Sequence, residues 1–140
     1  AADSHAPCRS GIPNRDSSIP VNPLGEADLR GADLCGADLG EVVLSGADLG
    51  GAVLSDANLC GADLIDADLS GALLVRADLC GADCTRANFA HAHLHSAALK
   101  DARNLDQAQI ESAFGDEATR LPEGLTRPPA WTAPGDDDAP

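Results

Sequence analysis

From Leu24 to Leu99 an apolar residue recurs at every fifth position, sixteen times in succession, always Leu except at Cys84 and Phe89. Two residues before almost every one of these centres stands Ala, with Val42 the exception within the run, and the residue between them is usually Asp or Asn. A period of five suits neither ordinary element. On an α-helix each five-residue step rotates the apolar residue by about 140° and smears Leu around the circumference, while on a flat strand an odd period reverses its face each time. The chain must therefore bend once per repeat. If each five-residue segment is one side of a square, centre and preceding Ala point inward and the other three positions point out. Four sides make a 20-residue coil, and successive coils stack as parallel strands about 4.8 Å apart. The run then gives roughly four coils and a rod ~19 Å long, in which each coil covers its neighbours' faces.

The expected core is Leu29, Leu34, Leu39, Leu44, Leu49, Leu54, Leu59, Leu64, Leu69, Leu74, Leu79, Cys84, Phe89, Leu94 and Leu99. Segments such as Ala27-Asp28-Leu29-Arg30-Gly31, Ala32-Asp33-Leu34-Cys35-Gly36 and Ala57-Asn58-Leu59-Cys60-Gly61 resemble the A(D/N)LXX consensus of the pentapeptide-repeat proteins. The resemblance covers more than half of the chain and implies an all-β solenoid, a right-handed quadrilateral β-helix of about four coils. It implies no particular activity, because one repeat fold hosts many functions.

The flanks divide the chain further. Residues 1–23, with Pro7, Pro13, Pro20 and Pro23, read as an extended lead-in before a β-helix over 24–101. Past Leu99 the period breaks, and Asn104 to Gly115 reads as a short helix within a capping segment 102–115. Asp106 or Asn104 would start that helix, Gly115 would end it, and Leu105, Ala108, Ile110, Ala113 and Phe114 would form its apolar surface. Laid across the last coil, it would cover unpaired backbone and block end-to-end polymerisation. Residues 116–140 read as a Pro-rich acidic tail; Leu121-Pro122-Glu123-Gly124-Leu125 and Pro128-Pro129-Ala130-Trp131 resemble tails of some bacterial family members, and Asp136-Asp137-Asp138 forms a solvated end.

Composition changes the picture at few points. Aromatics are limited to Phe89, Phe114 and Trp131, so the interior is a narrow Leu/Ala stack without a substrate cavity. No run of about 18 apolar residues predicts a membrane span. The chain lacks Met and begins Ala1-Ala2, which fits removal of an initiator Met or cleavage of a targeting peptide. An odd count of five cysteines favours a reducing, cytoplasmic setting, with a periplasm or lumen after targeting-peptide cleavage as the alternative.

Net charge is −14. The outward Asp or Asn before each centre has a local explanation, since a short polar side chain accepts backbone N–H bonds at a bend. The competing reading, drawn from the resemblance, is imitation of duplex DNA by carboxylate ladders, as in family members that bind type II topoisomerases. Its candidates are the column Asp28, Asp48 and Asp68 and the neighbouring Asp38 and Asp78. Residues 24–100 carry a net of −8 and residues 101–140 a net of −6, so nearly half of the charge lies outside the rod. A rod of ~19 Å matches only about five or six base pairs.

More informative are outward positions that are apolar. In a 20-residue coil Asp33, Val53, Leu73 and His93 share a column, and Cys35, Ser55, Val75 and His95 share the one beside it. Val53, Leu73 and Val75 then form an apolar patch, with His93 and His95 at its end, which is a candidate protein-contact site unless the chain's own tails cover it. Val43 and Ile65 fall on the opposite face.

Remaining chemistry is sparse. His91, His93 and His95 alternate, as metal ligands on a strand can. His91 belongs to the preceding side, however, and no Cys or carboxylate in those columns completes a set. Cys60 and Cys80, twenty apart, stack at about 4.8 Å, where parallel in-register side chains seldom reach disulfide torsions. Cys84 reads as an inert buried thiol. No phosphate loop, nucleophile elbow, His-Glu metal helix or paired base and nucleophile is present, so no catalytic residue, metal or cofactor is assigned. The sequence thus points to a non-enzymatic, rigid interaction module for a protein partner or larger assembly, with no direct nucleic-acid contact. DNA mimicry against a topoisomerase is the first alternative, and metal or redox sensing by the His cluster and the Cys60/Cys80 pair the next.

Overall fold

The computed structural model describes residues 26–132, so the lead-in with Cys8 and the terminal Asp136–Asp138 lie outside the described residues. The described chain winds into a right-handed quadrilateral β-helix. Its rungs are single-residue parallel bridges spaced by twenty, such as Asp28 to Asp48, Val53 to Leu73, Asn58 to Asp78 and Asp63 to Asp83. Four columns result: Asp28, Asp48, Asp68 and Asn88 on the first face, Asp33, Val53, Leu73 and His93 on the second, Asp38, Asn58, Asp78 and Ala98 on the third, and Val43, Asp63, Asp83 and Arg103 on the fourth.

Corners follow from one backbone rule. After each centre the chain turns with a three-residue hydrogen bond, as from Ala32 N–H to the Leu29 carbonyl at 3.0 Å. The second residue after the centre has positive φ at all fifteen positions from Glu26 to Ser96. That conformation is natural for glycine and costs other L-residues about 1–2 kcal/mol. Seven of the fifteen are Gly; the others are Glu26, Glu41, Asp56, Asp66, Arg76, Arg86, His91 and Ser96. Two stacked corners offset part of the cost with ion pairs, Arg76 on Asp56 and Arg86 on Asp66, each at 2.7 Å. The Arg76 and Arg86 guanidiniums hold the Asp56 and Asp66 carboxyls below the usual carboxylate range. Because all four groups are exposed, each pair contributes at most about 1 kcal/mol.

The interior is the expected column of centres, with Leu39 to Leu99 essentially inaccessible and the preceding Ala residues packed between them. Leu29 and Leu34 depart from the expectation and are only half-buried. Among the described residues, their coil has a neighbour on one side only.

At the other end the structure differs more from the sequence reading. The short helix expected over Asn104 to Gly115 is shorter still: α1 is Gln107–Glu111, and its C-cap is Ser112 and not Gly115. It replaces the first face of a fifth coil instead of lying across the fourth. The chain then returns to strand: Phe114 bridges His93, and Arg120 bridges Ala98. The spacing of Leu105, Ala108, Ile110, Ala113 and Phe114 mimics a helical stripe, but open backbone groups of the fourth coil capture Phe114. Ala92 carbonyl accepts the Phe114 N–H, and the Phe114 carbonyl accepts from Leu94.

A capping box starts α1: Asp106 accepts the Gln109 N–H, and Gln109 Oε1 accepts that of Asp106. Gln109 Nε2 also donates to the carbonyls of Cys84 and Ala87, both at 2.9 Å. Ala87 O thereby gains a side-chain donor where preceding coils supply a backbone N–H.

Residues 116–132, read from the sequence as the start of a Pro-rich acidic tail, pack against the end of the coil. Thr119 is fully buried and donates to the Leu94 carbonyl, and Arg127 donates to the Thr119 carbonyl. Within the short helix α2, Pro129–Thr132, Trp131 is 7% exposed and its Nε1 donates to the Ala113 carbonyl at 3.1 Å. Gly115 serves this ring and not a helix terminus, because a Cβ there would lie 2.6 Å from the indole.

Gly115→Ala is therefore expected to destabilise by about 1–3 kcal/mol through overpacking, and Trp131→Ala by about 3–5 kcal/mol through cavity formation, both read by chemical denaturation. Conversely, Ser96→Gly removes an exposed side chain from a positive-φ corner. Allowing for the greater freedom of glycine when unfolded, it should raise stability by up to about 1 kcal/mol in the same assay.

Candidate functional site

The second face carries the most distinctive outward surface. Val53, Leu73 and His93 form successive rungs of one column, and Phe114 is the next rung because the strand resumes after α1. Val75 and His95 follow two residues after Leu73 and His93, on the same side of the square. Val53, Leu73, Val75, His93 and His95 are half-buried, whereas Phe114 is 44% exposed. Three imidazoles gather around this end. The His93 ring lies 5.1 Å from that of Phe114, His91 lies 5.8 Å from it on the other side of the corner, and His95 stacks on His93 at 5.7 Å. His91 is brought there by its positive φ and by donation of its N–H to the Ser112 carbonyl. Sequence reasoning missed Phe114 because it fell outside the five-residue period.

Carboxylate ladders have a different geometry from the one expected. The column Asp28, Asp48, Asp68 is on the first face and Asp38, Asp78 on the third, so they are on opposite sides of the square and not neighbours. Two five-residue steps separate Asp28 from Asp38, and each step turns one corner. Asp28 is drawn down to a pKa of about 2 by the side chain and N–H of Arg30, and Arg30 also reaches Asp48 at 3.5 Å. In each of the ten Asp or Asn positions Asp28, Asp33, Asp38, Asp48, Asn58, Asp63, Asp68, Asp78, Asp83 and Asn88, Oδ1 accepts the N–H two residues on. These short polar side chains thus brace the corners.

Cysteines occupy three environments. Cys35, on the second face, is disulfide-bonded, a pairing that the repeat pattern did not indicate. Cys84 is a buried free thiol in the core, its pKa pushed up to about 12 by burial and by the Asp83 charge. Cys60 and Cys80 are free thiols on adjacent coils of the third face. Burial, then hydrogen bonding and charge from Asp78, raise the Cys60 thiol to about 11. The ligating atoms of Cys60, Asp78 and Cys80 lie within 4.8 Å of one another. Among the described residues this is the group able to hold a metal ion; the imidazoles of the second face do not form one.

Taken together, these features define a rigid repeat solenoid whose chemistry lies in outward-facing columns. A model of pentapeptide repeats matches residues 37–74 and 67–103, in eight copies. The chain belongs to the pentapeptide-repeat family. Among solved structures, a pentapeptide repeat protein from the Arabidopsis thaliana thylakoid lumen is 28% identical, with 84% of this chain and 66% of that one covered, at a TM-score of 0.54. A pentapeptide repeat protein from Nostoc PCC 7120 is 38% identical over 74% of this chain and 72% of its own, at a TM-score of 0.27. QnrB1, a plasmid-mediated fluoroquinolone resistance protein, is 16% identical over 69% and 60%, at a TM-score of 0.30. The chain spans just under two thirds of the Arabidopsis protein's length. No curated protein sequence matches the chain significantly. Among the described residues no helix is long and apolar enough to cross a membrane.

Thiol labelling checks the three cysteine environments. In native protein without reductant, iodoacetamide should modify exposed Cys80 first and Cys60 more slowly. Cys84 should react only after denaturation and Cys35 only after reduction, as read by peptide mass spectrometry.

Proposed function

We propose that this protein is a non-enzymatic interaction module that docks a protein partner through the second face of its β-helix. One observation carries the reading: among the described residues, this column alone runs from Val53 through Leu73 to His93 and ends on the exposed ring of Phe114. A β-helix held rung by rung by backbone bonds does not rearrange to hide such a surface, so contact with a partner removes apolar area from water without an ordering cost in the rod. The neighbouring imidazoles supply donors and acceptors at the rim, where interfaces are polar. The partner that fits is a protein surface offering apolar side chains opposite Leu73 and Phe114 and hydrogen-bonding groups opposite His93 and His95.

Division of the carboxylate ladders between opposite faces, and their use as corner braces, supports this reading over imitation of DNA. The thylakoid-lumen origin of the Arabidopsis relative supports a lumen over the cytoplasm.

Affinity capture with intact protein, Leu73→Asp, Phe114→Ala and Ile65→Asp tests the docking face, with circular dichroism checking each fold. A partner retained by the intact protein and by Ile65→Asp, on the opposite side, but lost from Leu73→Asp and weakened with Phe114→Ala is the expected result. Equal capture by all four proteins would place the contact on another surface.

A further inference from the structure

On the third face, away from the proposed docking column, two thiols and two carboxylates converge. Cys60 and Cys80 follow the bridged pair Asn58 and Asp78 at the same register, so the parallel ladder aligns their side chains on adjacent coils. The two Sγ atoms and an Asp78 carboxylate oxygen lie within 4.8 Å of one another. A fourth donor comes from the next coil, where Cys80 Sγ donates to Asp101 Oδ2 at 3.7 Å.

That carboxylate is delivered by a local departure from the repeat. At every corner from Gly31 to Arg76 the N–H of the positive-φ residue bonds the carbonyl nineteen residues ahead, as Gly61 bonds Cys80. Gly81 instead bonds the carbonyl of Asp101, twenty ahead, and Asp101 lacks the positive φ of the other corners. The slip brings Asp101 to the Cys80 sulfur. Above the pair, the same register position is Gly40, which adds no side chain to close the site; below it is Lys100, which ends the run of donors.

We propose that Cys60, Cys80, Asp78 and Asp101 form a surface site for a tetrahedral, thiolate-preferring divalent cation, with zinc as the fitting ion. Zinc takes thiolate sulfur at about 2.3 Å and carboxylate oxygen at about 2.0–2.2 Å. Those bond lengths place two tetrahedral sulfurs about 3.8 Å apart, so a side-chain rotation closes the present spacing without moving the coils. Sulfur ligands select against magnesium and calcium, which take oxygen donors. On binding, the metal displaces the two thiol protons to solvent, and the two thiolates and two carboxylates more than offset the divalent cation, which leaves the site anionic. Such a site would clamp two coils together and tie the corner at Asp101 to them.

Cobalt(II) is the probe, added to the full chain with its free thiols reduced. The expected result is thiolate-to-cobalt charge-transfer absorption saturating at one equivalent, displaced by zinc and not by magnesium. Cys80→Ser and Cys60→Ser should each lose that absorption, and Asp78→Asn should weaken cobalt binding, while circular dichroism shows the β-helix retained in each. A signal that persists in the Cys60→Ser/Cys80→Ser double variant would assign the metal to other cysteines and overturn the proposal. So would the absence of any charge-transfer band in the intact, reduced protein. A histidine site on the second face would bind cobalt without a thiolate band, so that outcome also counts against the site. Disruption of the docking face by Leu73→Asp leaves all four donors in place and should not alter the cobalt signal.

Discussion

Everything in this fold depends on the parallel hydrogen-bond ladder that joins each coil to the next. A single five-residue side has only one bridging residue, too little to stand alone, and it is the stacking of sides at a spacing of twenty that satisfies the backbone. The corner sets the spacing. From Glu26 to Gly81 each positive-φ corner residue both turns the chain and aims its N–H at the coil ahead, as Gly36 does toward Ser55 and Asp66 toward Thr85. Eight non-glycine residues accept that conformation between Glu26 and Ser96, which shows how strongly the ladder outweighs local backbone preference.

The same constraint decides which side chains are available for function. Inward positions are filled by Leu and Ala, and where the outward residue beside a centre is Asp or Asn, its Oδ1 is committed to the corner. Where that position is instead Val53, Leu73 or His93, the brace is missing, and the surface is free for another use. The apolar second face and the absence of the Asx brace are therefore two consequences of one substitution pattern. The cation site exploits the complementary property of the ladder: identical registers on adjacent coils place like side chains side by side, so two cysteines twenty apart meet without any special loop.

Much of this was legible in the sequence because the period of five maps directly onto the coil. The inward column, the 20-residue stacking and the grouping of Val53, Leu73, Val75, His93 and His95 on one face all follow from arithmetic on the repeat. Legibility fails where the period does. The segment after Leu99 reads as an amphipathic helix, yet only Gln107–Glu111 is helical, because open backbone groups on the fourth coil outcompete local propensity at Phe114 and Arg120. Trp131 and Thr119 are distant in sequence from the carbonyls they meet, and nothing periodic announces them. The opposite placement of the two acidic columns was derivable, since two steps of five turn two corners, but treating them as adjacent overlooked that rotation.

Asp101 shows how a small break in a regular ladder can create chemistry. The corners from Glu26 to Arg76 all keep the nineteen-residue register, and Gly81 is where it changes. One residue of slip costs little backbone bonding, because Gly81 still finds a carbonyl, at 3.0 Å. The exchange replaces a repeated corner with a carboxylate at the sulfur. This slip occurs where the strict repeat gives way to the segment leading into α1, so the chain's transition out of the regular coil and the completion of the four-donor cluster are the same structural event.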